Sequence, residues 1–411
     1  MRSARLNPWL EERRWSHEDG INSVRRRWPH EPSGHRTQSP CDACRVLVAG
    51  CAFWRFRLPL GKLKKLGSKL DIAIASSGEK TINIKELGTE ADLMAMQSPG
   101  NQDGAELIWM YRKLGRKVVV DYDDYSFDLS PGNPRYAELG TRECEILGAD
   151  GQVAFRWRDG ENGFDLKNNI AKYEAFLRCL EGADLVTTTT EHLAEKFRKY
   201  ARKVVICPNS IDFDLWKPIP RPREYDGQVR IGWFGGDSHL EDLVMFKDLL
   251  PKLCKKYPQV KIVMQASPVP QWKSIFADVP SAQIEWYTWA DLKFYTLFLA
   301  SRHWDIGLVP LAPNEFNFCK SGIKHFEFAA LKVPTICQNS LPYAPVVEHG
   351  KTGLLADGPE EWYEHACRLI ENAALRRDIG GAAYRDVRAK WSLESNCRAW
   401  ERAYMDCLGG R

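Results

Sequence analysis

The chain has 411 residues, 44% of them apolar and 27% charged, the composition of a soluble globular protein with material for about two full-sized cores. Its net charge is +4, and +3 of that lies in residues 1–40, where eight arginines stand against five acids. The rest is nearly neutral, which argues against a general polyanion binder. No apolar run approaches the ~20 residues needed to cross a bilayer, and the polar start lacks a secretory core.

Residues 1–40 are rich in Arg, Pro, Ser and His without a sustained period, and read as a basic, poorly ordered extension. Trp9, Trp15 and Trp28 lie among Arg13, Arg14 and Arg25 to Arg27, a mixture that also suits phosphates and stacked bases. Cys41 and Cys44 form a CxxC near Cys51, His30 and His35, but one pair is too little for a four-ligand zinc site, and no metal is expected. The twelve cysteines show no spacing rhythm and several fall in apolar segments (Cys179, Cys207, Cys254, Cys337), which reads as reduced thiols in a cytoplasmic protein.

Globular structure is expected from Arg45 to Gly50, RVLVAG, a short buried strand ending in glycine. The loop after it carries Arg55 and Arg57 and opens a helix, the way a doubly wound α/β domain starts. LDIAIAS and RKVVVDYDD read as strands, with GAELIWMYRKLG as a helix between them. The second strand runs into Asp121, Asp123 and Asp124. Carboxylates this close repel unless solvated or paired, and at the carboxyl end of a parallel strand they would face the ligand crevice. They are the candidate catalytic and hydroxyl-binding acids; helix capping by Asp123 or Asp124 is the plainer use. GADLVTTTTEHLAEKFRKY is then strand and amphipathic helix, and KVVICPNSIDFDLWKP a strand with a Pro-Asn turn. Residues 218–228 are rich in Pro, Gly and charge, a linker signature, so the first unit is placed at 41–217 and the second at 218–385.

The second unit opens with VRIGWFGGDSHLEDL, a strand, a glycine turn and a helix. Gly235 and Gly236 allow close backbone approach to a phosphate, the helix start offers N–H donors, and Ser238 and His239 are additional candidate donors. KIVMQA, IEWYTW and WDIGLVPL follow as strands. The segment CKSGIKHFEFAALKVPTI carries Lys320, Ser321, Gly322, Lys324 and Glu327 near the start of an apolar helix. Lysines in a first turn oppose the helix dipole, a conflict that makes sense if a doubly charged anion sits there. Glu327, about one turn deeper, can accept hydrogen bonds from the two hydroxyls of a ribose. The pattern fits a nucleoside-diphosphate clamp; a solvated Lys–Lys–Glu face is the alternative. Glu348 to Gly350 read as a packing turn, and residues 386–411 as an amphipathic terminal helix.

Glu327, the helix after it, the Val-Pro turn, the strand from Pro334 and the Gly350–Gly353 turn together resemble the donor-site segment of the family 4 glycosyltransferases. Gly322 matches that pattern's internal glycine; Cys319 stands where its first glutamate belongs, and Lys332 replaces its glycine before Val-Pro. Ala183-Asp184 and Pro208-Asn209-x-Ile-Asp212, with Trp216 in place of a phenylalanine, resemble the end of that family's first domain. The resemblance implies a GT-B fold: two Rossmann-like domains facing a cleft, with the terminal helix crossing back. It further implies transfer from a nucleotide sugar, most often a UDP-sugar, to a hydroxyl acceptor with retained configuration and no cofactor. The family's Arg/Lys pair after the glycine turn is missing, so Lys320 and Lys324 are expected to supply that charge, with Arg55 or Arg57 contacting phosphate or acceptor. The basic extension leaves open a viral-type enzyme that sugars hydroxymethylated bases in DNA. The departures leave open a non-catalytic relative, and a nucleotide-sugar epimerase is the third reading. Acceptor, sugar and oligomeric state are open.

Overall fold

The computed structural model describes residues 44–49, 53–75, 91–147, 152–266, 275–288 and 291–409. Expectations placed on residues 1–40 and on the Cys41–Cys44 pair fall outside these. Two six-stranded parallel sheets organise the chain.

The first sheet runs β2-β1-β3-β4-β7-β8, from β1 (Cys44–Ala49), β2 (Leu70–Ala75), β3 (Leu93–Gln97), β4 (Lys117–Asp121), β7 (Leu185–Thr188) and β8 (Val204–Ile206). Parallel strands covered on both faces read as continuous apolar runs, and the four residues Val118 to Asp121 of β4 are all buried. Helices start where a side chain satisfies a free backbone N–H. Asn101 caps the helix Gln102–Lys113, Asp165 the helix Leu166–Gly182 and Thr190 the helix Glu191–Phe197.

A long excursion leaves the sheet after β4 and returns at the helix Leu166–Gly182. It contains an antiparallel hairpin, β5 (Cys144–Leu147) with β6 (Val153–Trp157), and a small core of Leu129, Tyr136, Trp157 and Phe164. Phe316, from the other half of the chain, completes that core.

The second sheet runs β11-β10-β9-β12-β13-β14, from β9 (Val229–Gly235), β10 (Val260–Ala266), β11 (Ile284–Tyr287), β12 (Ile306–Val309), β13 (Thr335–Gln338) and β14 (Leu354–Ala356). This is the doubly wound order, and its direction of winding reverses between β9 and β12. A ligand crevice belongs at the carboxyl ends of those two strands, where the Gly235 turn lies.

The chain then returns to the first half. The helix Ala373–Lys390 passes through Asp386, where the terminal segment was expected to begin. Backbone bonds of 2.8 Å join Ile211 to Trp391 and to Leu393. The last helix, Arg398–Cys407, buries Trp400, Ala403 and Tyr404 in one core with Phe56, Leu60, Leu93 and Leu185. Among the described residues no helix is long and apolar enough to cross a membrane.

Candidate nucleotide-sugar site

The site is built from two turns of the second unit. β9 ends at Gly235, and the Gly235–Gly236 turn is closed by His239 N–H donating to the Gly236 carbonyl at 3.3 Å. A short helix, Leu240–Val244, follows. The other turn joins helix Glu315–Phe318 to helix Ile323–Ala330. Gly322 is the N-cap of the latter, so Lys320 and Ser321 precede the helix and only Lys324 lies within its first turn. The glycine is required by packing: a Cβ there would sit 2.7 Å from the Val346 side chain.

Both lysines converge on His239. Lys324 Nζ lies 3.0 Å from His239 Nε2, and Lys320 Nζ lies 3.4 Å from Nδ1. Lys324 also stands over the Trp233 ring at 4.8 Å, and Lys320 over Phe316 at 4.6 Å, cation–π contacts that hold an ammonium without neutralising it. A Cβ on Gly235 would come within 2.9 Å of Lys324 Nζ, so the glycine makes room for the lysine as much as for a ligand. Among the described residues neither lysine has a carboxylate within ion-pair distance. Burial, with Lys320 adding repulsion, brings Lys324 down to about 7, and burial also lowers Lys320.

Asp242, one turn after His239, completes the cluster. Its Oδ2 lies 2.6 Å from His239 Nδ1, while Oδ1 accepts from Ala312 N–H and Asn317 Nδ2, each at 2.7 Å. Burial works against its charge, but the His239 hydrogen bond, Lys320 and the Ala312 N–H outweigh it and keep the carboxyl below its usual range. Burial and the two ammonium groups push His239 down to about 3, so the imidazole is neutral. The expectation that His239 donates to a phosphate does not hold, because both its ring nitrogens face protein partners.

Glu327 lies one turn deeper and only 7% exposed, accepting from Tyr295 Oη at 3.1 Å. Burial raises its carboxyl to about 8. Tyr295 in turn meets Trp54 of the first unit edge-to-face at 5.3 Å.

The first unit closes over these turns. Ser130 Oγ donates to Glu241 at 2.6 Å, Asn133 Nδ2 to the Ser238 carbonyl at 3.2 Å, and Asn209 Nδ2 to Ser321 Oγ at 2.9 Å. Glu315 receives His192 and Lys196, each at 2.6 Å. Cys319, the residue in place of the first glutamate, is fully buried among first-unit side chains, and its carbonyl accepts from Thr190 at 3.4 Å. It offers nothing to a ligand.

The acidic strand end divides. Asp121, expected in the catalytic group, is fully buried: Arg55 donates to it through Nε at 2.9 Å and Nη2 at 2.7 Å, and Thr187 Oγ1 at 2.7 Å. Arg55, expected to contact phosphate or acceptor, is 1% exposed and spends its other nitrogen on Cys207 O and Asn209 Oδ1, with Trp400 beneath it at 5.0 Å. Both expectations are corrected: the pair ties β4 to the segment after β8 and to the terminal helix, and its burial shuts it off from a ligand. Asp123 and Asp124 remain partly accessible. Burial, with Asp124 and Asp121 adding repulsion, raises Asp123 to about 7. Asp124 is close enough to both lysines to favour their charge. Arg57 is exposed, at the N-cap of the helix Leu58–Lys65. Glu348 pairs with Lys351, and His349 accepts from Leu355 N–H, contacts of a packing turn.

Sequence reasoning did not single out Asp242, Trp233 or Tyr295. The signal for Asp242 was present, since it follows His239 by three residues at the start of a helix.

Comparison with known proteins agrees with the fold. No family model matches the chain, and no curated protein matches it. Solved structures do. Sucrose-phosphate synthase of Thermosynechococcus elongatus superposes with a TM-score of 0.62 at 11% identity, covering 90% of this chain and 100% of that one. A glycosyltransferase from Rickettsia africae gives 0.59 at 14%, with the same coverage. Anabaena HepE in complex with UDP-glucose gives 0.58 at 14%, covering 88% and 99%. With two doubly wound parallel sheets facing across a cleft, this chain has the GT-B fold.

Proposed function

We propose that the chain is a glycosyltransferase that moves a sugar from a nucleoside-diphosphate sugar, a UDP-sugar, to a hydroxyl acceptor with retained configuration. One observation carries this reading: two ammonium groups sit together at the switch point of a doubly wound sheet, held by rings and a neutral imidazole, without a carboxylate against either. Such a seat suits a departing diphosphate, whose growing charge is what catalysis of glycosyl transfer must stabilise. Glycine-turn N–H groups would share that load. Glu327 would accept from the ribose hydroxyls with Tyr295 holding the carboxyl in place.

Asp123 and Asp124, at the far wall, would meet the acceptor or the sugar hydroxyls. A carboxyl near 7 can receive the acceptor's proton as the new bond forms. Anabaena HepE, whose structures hold UDP and UDP-glucose, supports the donor class.

The position of Cys319 supports a second reading, a nucleotide-binding protein of this fold that does not transfer, because the residue that should address the sugar is committed to the domain contact. Donor hydrolysis separates the two. The purified chain should bind UDP in calorimetry and slowly hydrolyse its best donor from a panel of nucleotide sugars. Donor hydrolysis, or transfer to DNA, glycans or small alcohols, would select the first reading; binding with neither would select the second, and no binding at all would remove both.

A further inference from the structure

The His239–Asp242 pair has a direction, and that direction decides what Lys324 can offer. Asp242 Oδ1 is occupied by two donors, Ala312 N–H and Asn317 Nδ2. Its Oδ2 is therefore the oxygen presented to His239 Nδ1 at 2.6 Å, a length that requires a proton between them. In a neutral imidazole the proton on Nδ1 leaves Nε2 as a bare lone pair, and Nε2 is the atom 3.0 Å from Lys324 Nζ.

We propose that His239 is a positioning residue: fixed in its Nδ1–H form by Asp242, it accepts one hydrogen from Lys324 and aims the remaining two at the donor's diphosphate. This rests on the nucleotide-sugar reading of the site and deepens it. The surroundings support the neutral form. Lys320 stands near Nδ1 and Lys324 at Nε2; Asp242 faces the ring, Glu241 is held by Ser130, and Asp124 and Glu327 act on Lys324. A protonated ring between two ammonium groups would be repelled by both. Trp233 completes the seat, its ring under Lys324 at 4.8 Å and edge-on to His239 at 5.8 Å.

The test uses a substitution that changes polarity and keeps shape. In Asp242→Asn the amide oxygen is held at the Oδ1 place by Ala312 and Asn317, so its NH2 group points at His239. That NH2 donates to Nδ1, drives the ring proton to Nε2, and sets an N–H against the ammonium of Lys324. Nitrogen-15 NMR of the histidine ring, recorded without ligand, should show Nδ1–H in the wild-type protein and Nε2–H in the variant. Calorimetry with UDP should show a loss of affinity of about tenfold in Asp242→Asn at an unchanged melting temperature. His239→Gln, whose amide can accept from Lys324 and donate to Asp242 at once, should recover most of it, whereas His239→Leu should not. An Nε2–H ring in the wild type, or a flipped ring with unchanged UDP affinity, overturns the proposal. A wild-type protein that shows Nδ1–H yet binds no UDP overturns the nucleotide reading instead, so the two failures are distinguishable.

Discussion

Two buried charge clusters lie on either side of the cleft and are satisfied in opposite ways. In the first unit, Arg55 and Asp121 consume each other: both carboxylate oxygens and the guanidinium nitrogens have partners, and accessibility is near zero. In the second, Lys320 and Lys324 rest on aromatic rings and a neutral imidazole, and their charge stays available. Sequence position points both clusters at the site, the arginine and aspartate by a first loop and a strand end and the lysines by a helix start. A closed ion pair is architecture, whereas a cation seated on neutral partners has capacity left for an anion.

Breaking each cluster should give opposite phenotypes. The largest effect is expected from Arg55→Met, which leaves Asp121 charged, buried and unpaired; about 3–5 kcal/mol of stability should be lost in denaturant unfolding, with UDP affinity of the folded protein retained. Lys324→Met should do the reverse. UDP affinity should fall by about 2 kcal/mol, roughly thirtyfold, without a lower melting temperature, since a desolvated ammonium has been removed. Swapped outcomes, with affinity lost in the first and stability in the second, would dissolve the distinction.

The comparison sharpens with pH. Lys324 titrates near 7 in the empty site, and a bound diphosphate favours its charged form. At pH 8 binding should therefore take up about one proton, read from calorimetry in buffers of different ionisation heat, and affinity should fall as pH rises from 7 to 9. The effect on folding has the other sign: a lysine lowered below its unfolded value adds stability as pH rises above 7. The smallest effect is expected from Glu327→Gln, about 1 kcal/mol of UDP affinity, with Tyr295 still able to donate to the amide oxygen.

Much of this was legible. Apolar runs such as VVV in β4 and VRIGWF in β9 announce buried parallel strands, and Gly235 and the Lys320–Lys324 pair announced the turns that meet. β3 was not, because LMAMQ carries none of the β-branched residues that mark strands. The roles of Arg55 and Asp121 were hidden because their partners, 66 residues apart, meet only once the sheet is assembled. Phe316 reads as an ordinary apolar residue, and nothing local says that its burial is completed by Tyr136 and Trp157 of the other half. His239 is a candidate donor in the sequence, which cannot show that its ring nitrogens face Asp242 and the two lysines.

The return of the last helix to the opening core has a practical corollary for dissecting the molecule. Trp400 and Tyr404 plug the same apolar wall as Phe56 and Leu60, so a fragment ending near residue 217 would bare that wall and strip the indole from beneath Arg55. The beginning and end of the polypeptide behave as one piece of upholstery, and severing them should yield insoluble halves where a string of beads would yield two working ones.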